Sequence, residues 1–292
     1  KNDANIILYV EVVLMVLFLT MNGADLWIQQ NSPELNYISA GSFPISQYLL
    51  PLFDGLSSNV VFIIERSAWW LHIIGILCFL NYLYYSKHLH ILLAFPNTYF
   101  ANLNAKGKFS NLKSVTNEVK MMLDPSIDPY SNASSVEVSK FGASDVFDLS
   151  KIQLLNAYTC TECGRCTSEC PANQTGKKLS PRKIMMDTRD RVEAVGRNID
   201  TNKGEFKPDG KELLSDYISK EELWACTSCN ACVEACPIGI DPLSIIMDMR
   251  RYLVMEKSDA PSELNNMMSN IENNGAPWPF NQMDKLNWKN EI

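Results

Sequence analysis

Residues 157–176 read AYTCTECGRCTSECPANQTG, and residues 224–240 read WACTSCNACVEACPIGI. Each stretch holds four cysteines at the spacing C-x2-C-x2-C-x3-C, with a proline directly after the last. Eight of the nine cysteines fall in these two runs, and Cys78 alone stands apart. Such crowding does not suit a disulfide framework, which belongs to small secreted domains. A zinc site takes two Cys-x2-Cys pairs set well apart in sequence. The two runs call for a centre that draws four thiolates into one small space, and they call for it twice.

The x2, x2, x3 spacing with a trailing proline is that of the bacterial ferredoxin run, which ligates [4Fe–4S] clusters. Three cysteines at x2 spacing wrap one face of a cubane. The fourth, beside the proline, points away, and in two-cluster ferredoxins it ligates the other cluster. This assigns Cys160, Cys163, Cys166 and Cys236 to one cluster, and Cys226, Cys229, Cys232 and Cys170 to the second. The runs come as a pair because each completes the other's site. Arg165, Lys177, Lys178, Arg182 and Lys183 surround the first run. They either offset cluster charge and raise its potential or form a solvated basic face; both readings stand.

Working outward, DLSKIQLLNAYTC (148–160) and SKEELWACTSC (219–229) read as helices that lead into the runs, and Ser219 with Glu222 forms a capping box. After each run comes a small polar residue, a proline and an apolar helix: Ser180-Pro181 before RKIMMDTRDRV, and Asp241-Pro242 before LSIIMDMRRYL. Proline at the first helical position is a start signal. The region 146–257 is thus an internal duplication of helix, cysteine loop and helix. Residues 101–145 read as a linker with one short amphipathic helix in NLKSVTNEVKMML, followed by a flexible Ser, Pro and Asp-rich stretch. Residues 258–292 form a tail. In it PSELNNMMSNIEN (261–273) predicts a helix stopped by Gly275, with Trp278, Phe280 and Trp288 beyond.

The first hundred residues differ in kind. They carry three basic and six acidic residues, whereas the remainder carries 23 and 27. NIILYVEVVLMVLFLTMN (5–22) has Glu11 as its one charge, and AWWLHIIGILCFLNYLYY (68–85) has none. Both are long enough to cross a hydrocarbon core of about 30 Å. They predict a membrane domain over 1–100 with spans at about 5–27 and 59–92; a buried helix of a large soluble protein is the alternative. The loop 28–58 lacks Lys and Arg, while Lys87, Lys106 and Lys108 follow the second span. Positive residues mark the cytoplasmic side, so the cysteine runs are expected inside. FPISQYLLPLFDGL (43–56) is too short to span and is expected in the outer interface or over the helices. The chain opens Lys-Asn-Asp rather than Met and reads as one whose earlier residues are absent. With a net charge of −7 and no basic patch, nucleic acid is not an expected partner.

An ionisable residue inside a span is a functional hypothesis. His72 lies mid-span in WWLHIIG, and His90 follows in SKHLH. Eighteen residues are about five helical turns, roughly 27 Å of rise, so the two share a face if the helix runs on to about residue 93. His88 lies about 160° away on that helix. His72 and His90 are therefore candidate ligands of b-type haem at two membrane depths; a hydrogen-bonded core histidine with two interfacial ones is the alternative. The first span has no histidine, so partner ligands would come from outside this sequence. Glu65 and Arg66 suit a quinone site or an ion pair within the bundle.

KLSPRKIMMDTRDR and CPIGIDPLSIIMDMRRYL resemble the α-helical ferredoxin domain of succinate dehydrogenase and heterodisulfide reductase iron–sulfur subunits. From KNDANIILYVEVVLM through YYSKHLHILLAFPNTYFANL to NNGAPWPFNQMDKLNW, the chain resembles bacterial membrane-bound (Fe–S)-binding oxidoreductase subunits. In these a membrane domain like that of the nitrate reductase gamma subunit is joined to a heterodisulfide-reductase-like domain. The resemblance implies an all-α protein of transmembrane helices and an α-helical two-cluster ferredoxin domain, set in a bacterial inner membrane. It implies an electron-transfer subunit without its own substrate site, using two [4Fe–4S] clusters with haem b and a quinone, and a partner subunit carrying a CCG domain or other oxidoreductase chemistry. No G-x-G-x-x-G fingerprint offers a flavin or nicotinamide site. Two readings of other classes stand beside it: a membrane scaffold whose clusters staple the fold, and an iron–sulfur redox sensor.

Overall fold

A computed structural model describes residues 2–38, 41–105, 107–124 and 140–290. Its secondary structure is helical throughout, apart from one isolated bridge between Leu214 and Ile218. The chain divides into two compact units, Lys1–Leu92 and Leu93–Ile292.

The first unit is a helical pair, α1 (Asn2–Asn31) and α2 (Ser58–Leu83). Both are long and apolar enough to cross a membrane, and their apolar outer faces, such as Leu8, Val12, Ile63 and Leu71, are exposed. Gly75 lets the helices approach, since a Cβ there would lie 2.7 Å from Leu14 Cδ2. At one end Ala24, Trp27, Ile28, Phe53 and Val61 form a small core, closed by a 3-10 turn over Ser46–Leu52 that packs on α1. That turn is the FPISQYLLPLFDGL segment, which packs over the helices. Beside the core, Glu65 is 3% exposed and accepts from Tyr37 Oη at 3.0 Å and Arg66 Nη2 at 2.7 Å. An ion pair with a tyrosine is therefore what these residues form.

The second helix does not run to residue 92. It stops at Leu83, and a 3-10 turn over Lys87–Leu89 precedes α3 (His90–Tyr99). Ser86 causes the break: extended at φ −103°, it turns its hydroxyl onto the His88 N–H at 3.2 Å, a local bond that competes with the helix. Asp3 pins the turn by accepting from Tyr82 and from the Lys87 N–H. The five-turn count from His72 to His90 consequently does not hold.

In the second unit, α4 (Lys113–Leu123) is the predicted amphipathic helix. The reading of Asp124–Ser144 as flexible falls mostly on residues outside those described, but its end belongs to the core. Gly142, at φ +80°, lies so close to the helix Pro242–Met255 that a Cβ would meet Asp248 O at 2.2 Å, and Ala143 N–H donates to that same oxygen at 3.0 Å. Then come α5 (Lys151–Thr159), α6 (Arg165–Ser168), α7 (Pro171–Gln174), α8 (Pro181–Thr201), α9 (Lys220–Ala225), α10 (Ala231–Glu234) and α11 (Pro242–Met255). Capping boxes start α5, through Ser150 and Gln153, and α9, through Ser219 and Glu222. Ser180 and Asp241 cap α8 and α11 just ahead of their prolines. The long helices α8 and α11 supply Ile184, Met185, Ile245, Ile246 and Met249 to the core, which Ala157, Leu179, Leu213 and Leu223 complete. Arg191 of α8, 1% exposed, holds Asp145 and Asp209 at 2.7 and 2.5 Å. Last, α12 (Ser262–Asn274) ends on Gly275 at φ +68°, as the sequence predicts.

Candidate iron–sulfur site

Each cysteine run leaves a capped helix and folds into a loop with two left-handed residues. Glu162 (φ 60°) and Gly164 (φ 86°) serve the first run, and Ser228 (φ 56°) and Asn230 (φ 61°) the second. This turn points backbone N–H groups back at sulfur. Ser228 N–H reaches Cys226 Sγ at 3.4 Å, and Glu162 N–H bonds Cys160 in the same way. The short helices α6 and α10 follow, carrying Cys166 and Cys232. Cys170 is buried beside Pro171, while Cys163 and Cys229 are exposed.

The structure draws residues of both runs together. Cys170 lines one cavity with Cys226, Cys229 and Cys232, walled by Leu179, Pro181, Leu243 and Ile246. On the other side, Cys236 lies near enough to Cys160 and Cys166 to disfavour their ionisation. Among the described residues no group of three or more His, Cys, Asp or Glu side chains is gathered to hold one metal ion. Burial pushes the Cys160, Cys166 and Cys226 thiols up, and Cys232 to about 12, with Cys226 and Asp241 adding to the last. Four thiols, Cys170, Cys226, Cys229 and Cys232, in one apolar-walled cavity, with the Ser228 N–H aimed at Cys226 Sγ, fit a cationic iron centre that ionises them.

Four of the five basic residues singled out around the first run have separate roles. Lys178 pairs with Glu221 at 2.5 Å, and Lys183 sits between Asp187 and Glu222 at 2.8 Å each. Arg182 lies near Gly164 of the cysteine loop, while Arg165 lines an open cleft with Cys163. Sequence reasoning passed over the two arginines that matter more. Arg189 stands by Cys160 and pairs with Glu162 at 2.6 Å. Arg250 stands by Cys226, donates to the Leu223 and Cys226 carbonyls at 2.6 and 2.5 Å, and lies over Trp224. The register of the duplication holds the signal, because both follow their helix-starting proline by eight residues.

The histidines are not brought together as one column. His72 sets Nδ1 3.0 Å from Leu14 O and its ring near Phe18. His90 sets Nδ1 2.6 Å from Lys87 O, and its ring lies 6.1 Å from that of His88. In each, a bond from Nδ1–H to a carbonyl leaves the proton off Nε2 and its lone pair free.

Fold and site define an iron–sulfur electron-transfer component with two [4Fe–4S] clusters: residues 159–240 match the 4Fe-4S dicluster domain. Among curated proteins the chain is similar to a probable iron-sulfur-binding oxidoreductase, FadF, of Bacillus subtilis, 30% identical over 86% of this chain and 37% of that protein. It is similar to an EtfAB:quinone oxidoreductase of Syntrophomonas wolfei, 26% identical over 100% of this chain and 41% of the relative. It is also related to one component of a ferredoxin/F(420)H(2)-dependent CoB-CoM heterodisulfide reductase of Methanosarcina acetivorans, 34% identical over 38% of this chain and 55% of that component. The chain spans less than half the length of the first two relatives.

Proposed function

We propose that this chain carries electrons between a redox site in a bacterial inner membrane and a cytoplasmic partner, through two [4Fe–4S] clusters with exchanged fourth ligands. The observation that carries this reading is Cys170 in the cavity of Cys226, Cys229 and Cys232, a residue of one run completing the site of the other. Each cluster, when bound, takes up and releases one electron at a time. The chain's own part is to hold thiolates, keep water off Cys170 with Leu179, Pro181 and Leu243, and direct N–H groups at sulfur. Such N–H bonds draw charge from the sulfur lone pairs, which favours the reduced state.

α1 and α2 anchor the chain in the membrane. His72 and His90 are the proposed residues that would hold haem, their Nδ1 bonds leaving Nε2 free, and the two residues stand on separate helices, α2 and α3. A relative named as a quinone oxidoreductase supports a quinone as the membrane partner. One named as part of a heterodisulfide reductase supports a multi-subunit setting, in which a CCG-domain or other oxidoreductase subunit is the cytoplasmic partner. The exposed Trp278, Phe280 and Trp288 of the tail are the proposed docking element for that partner. The test is a redox titration of the full chain in detergent, with iron and sulfide counted. Two clusters that reduce and reoxidise reversibly support electron transfer; clusters that form but do not cycle would leave only a structural staple.

A further inference from the structure

The two halves of the iron–sulfur domain can be compared residue by residue. Cys160 corresponds to Cys226, and Pro181 at the head of α8 to Pro242 at the head of α11. In this register Arg189 corresponds to Arg250: Arg250 donates to the carbonyl of Cys226, the first cysteine of its run, at 2.5 Å, and Arg189 pairs with Glu162, two residues past the first cysteine of the other. Two residues after that cysteine stands Glu162 in one half and Ser228 in the other. Their backbones match, at φ 60° and 56°, and both donate an N–H to the preceding sulfur. What differs is charge. Arg189 is neutralised by Glu162 at 2.6 Å, with both side chains largely buried. Arg250 has no carboxylate partner among the described residues; carbonyls of Leu223 and Cys226, the Ser228 hydroxyl at 3.4 Å and the Trp224 ring hold it instead.

We infer that the site of Cys226, Cys229 and Cys232 is the more easily reduced of the two, because it faces the unneutralised guanidinium of Arg250 where the other faces the Arg189–Glu162 ion pair. The inference rests on the reading that both runs hold redox-active clusters, and it adds the order in which they fill. Net charge is one of the main settings of such potentials. Two features act the other way. Asp241 lies near Cys232, but its carboxylate is offset by the Leu243 and Ser244 N–H groups at the start of α11. The Thr167 hydroxyl bonds Cys166, but it is a neutral dipole. Arg250 bonds the Cys226 carbonyl directly, whereas the Asp241 carboxylate is turned to the start of α11, so the guanidinium sets the balance at the second site. Arg165, Lys177 and Arg182 near the first run are exposed, so water and salt screen them.

The test is a spectroscopic redox titration of the full chain in detergent, each reduction being one electron from the titrant with no bond made or broken. Cys163→Ser and Cys229→Ser assign the two signals to their sites. At the potential where the second site is half reduced, the first should show a reduced-to-oxidised ratio at least about tenfold lower, which is 59 mV for a one-electron couple. Exchanging the charges should move each site alone. Ser228→Glu lowers the ratio at the second site about tenfold, and Glu162→Ser raises it at the first by a similar factor. Each substitution installs the residue type that the same backbone carries in the other half. Should Ser228→Glu lose iron, Glu162→Ser decides by itself, and Arg250→Lys should keep most of the second site's potential. Equal or reversed potentials, or midpoints unmoved by Glu162→Ser, overturn the inference. An absence of any reversible signal in the unmodified chain would instead overturn the electron-transfer reading beneath it.

Discussion

Arg191 offers a direct measure of what holds the iron–sulfur domain together. It is 1% exposed, sits on the helix that also walls the second cluster cavity, and divides its guanidinium among three partners. Nε and Nη2 meet both oxygens of Asp145 at 2.9 and 2.7 Å, Nη1 meets Asp209 at 2.5 Å, and Nη2 meets the Lys211 carbonyl at 2.5 Å. Asp145 also accepts the Val146 and Leu213 N–H groups, so the network ties the chain before α5 to the chain before α9. Replacing it by methionine keeps most of the volume but leaves two close carboxylates without their cation. Breaking a buried pair this way costs about 3–5 kcal/mol. Asp209 retains 25% exposure, which places the loss toward the lower end. In a unit the size of Leu93–Ile292 each kcal/mol moves the melting point by about 2–4 °C, so Arg191→Met should melt roughly 6–12 °C lower. The assay is thermal loss of the cluster absorbance, with iron content matched before heating. A drop under about 1 kcal/mol would show that water replaces the network at little cost, and the inference from burial would be wrong.

The same network sets a pH dependence. Arg191 holds the Asp209 carboxyl below its usual range. A depressed carboxylate contributes stability above its unfolded pKa of about 3.9 and loses it as pH falls through the folded value. The stability gap between the unmodified chain and Arg191→Met should therefore be full at neutral pH and narrow below about pH 4; a gap that widens on acidification has the wrong sign. His72→Ala and His90→Ala should each weaken the reduced-haem absorbance of the protein in detergent; haem retained in both but lost in His88→Ala would move the ligand to His88. Trp278→Ala should leave both clusters intact and release the partner subunit in a pull-down, and a partner that stays bound removes the tail from the interface. Ser219→Ala, deleting a capping box whose Oγ accepts Glu222 N–H at 3.3 Å, should cost about 1 kcal/mol in the same melts.

Much of this architecture was legible in the sequence because its signals are local. The Ser219–Glu222 capping box, the prolines at the starts of α8 and α11, and the Gly275 stop are read from residues within one helical turn of each other. So is the cysteine spacing, which defines the cluster sites. Contacts between distant residues were not legible. Gly142 lies in a stretch whose composition resembles a linker, yet it is there because only a glycine fits against the backbone of α11. The break after Leu83 was missed because Tyr84 and Tyr85 continue the apolar run, and hydropathy does not register Ser86 turning its side chain onto its own backbone. Lys178 and Lys183 were open to two readings, offsetting cluster charge or a solvated basic face, because the carboxylates that meet them arrive from residues 221 and 222, about forty positions away.

The exchange of the fourth ligand is the claim on which the account stands, and Cys170→Ser tests it most directly. Each cluster of the variant is followed spectroscopically in the full chain. The account predicts that the cluster held by Cys226, Cys229 and Cys232 is lost or altered, while the one held by Cys160, Cys163 and Cys166 keeps its signal. Damage confined to the cluster of Cys160, Cys163 and Cys166 would contradict it.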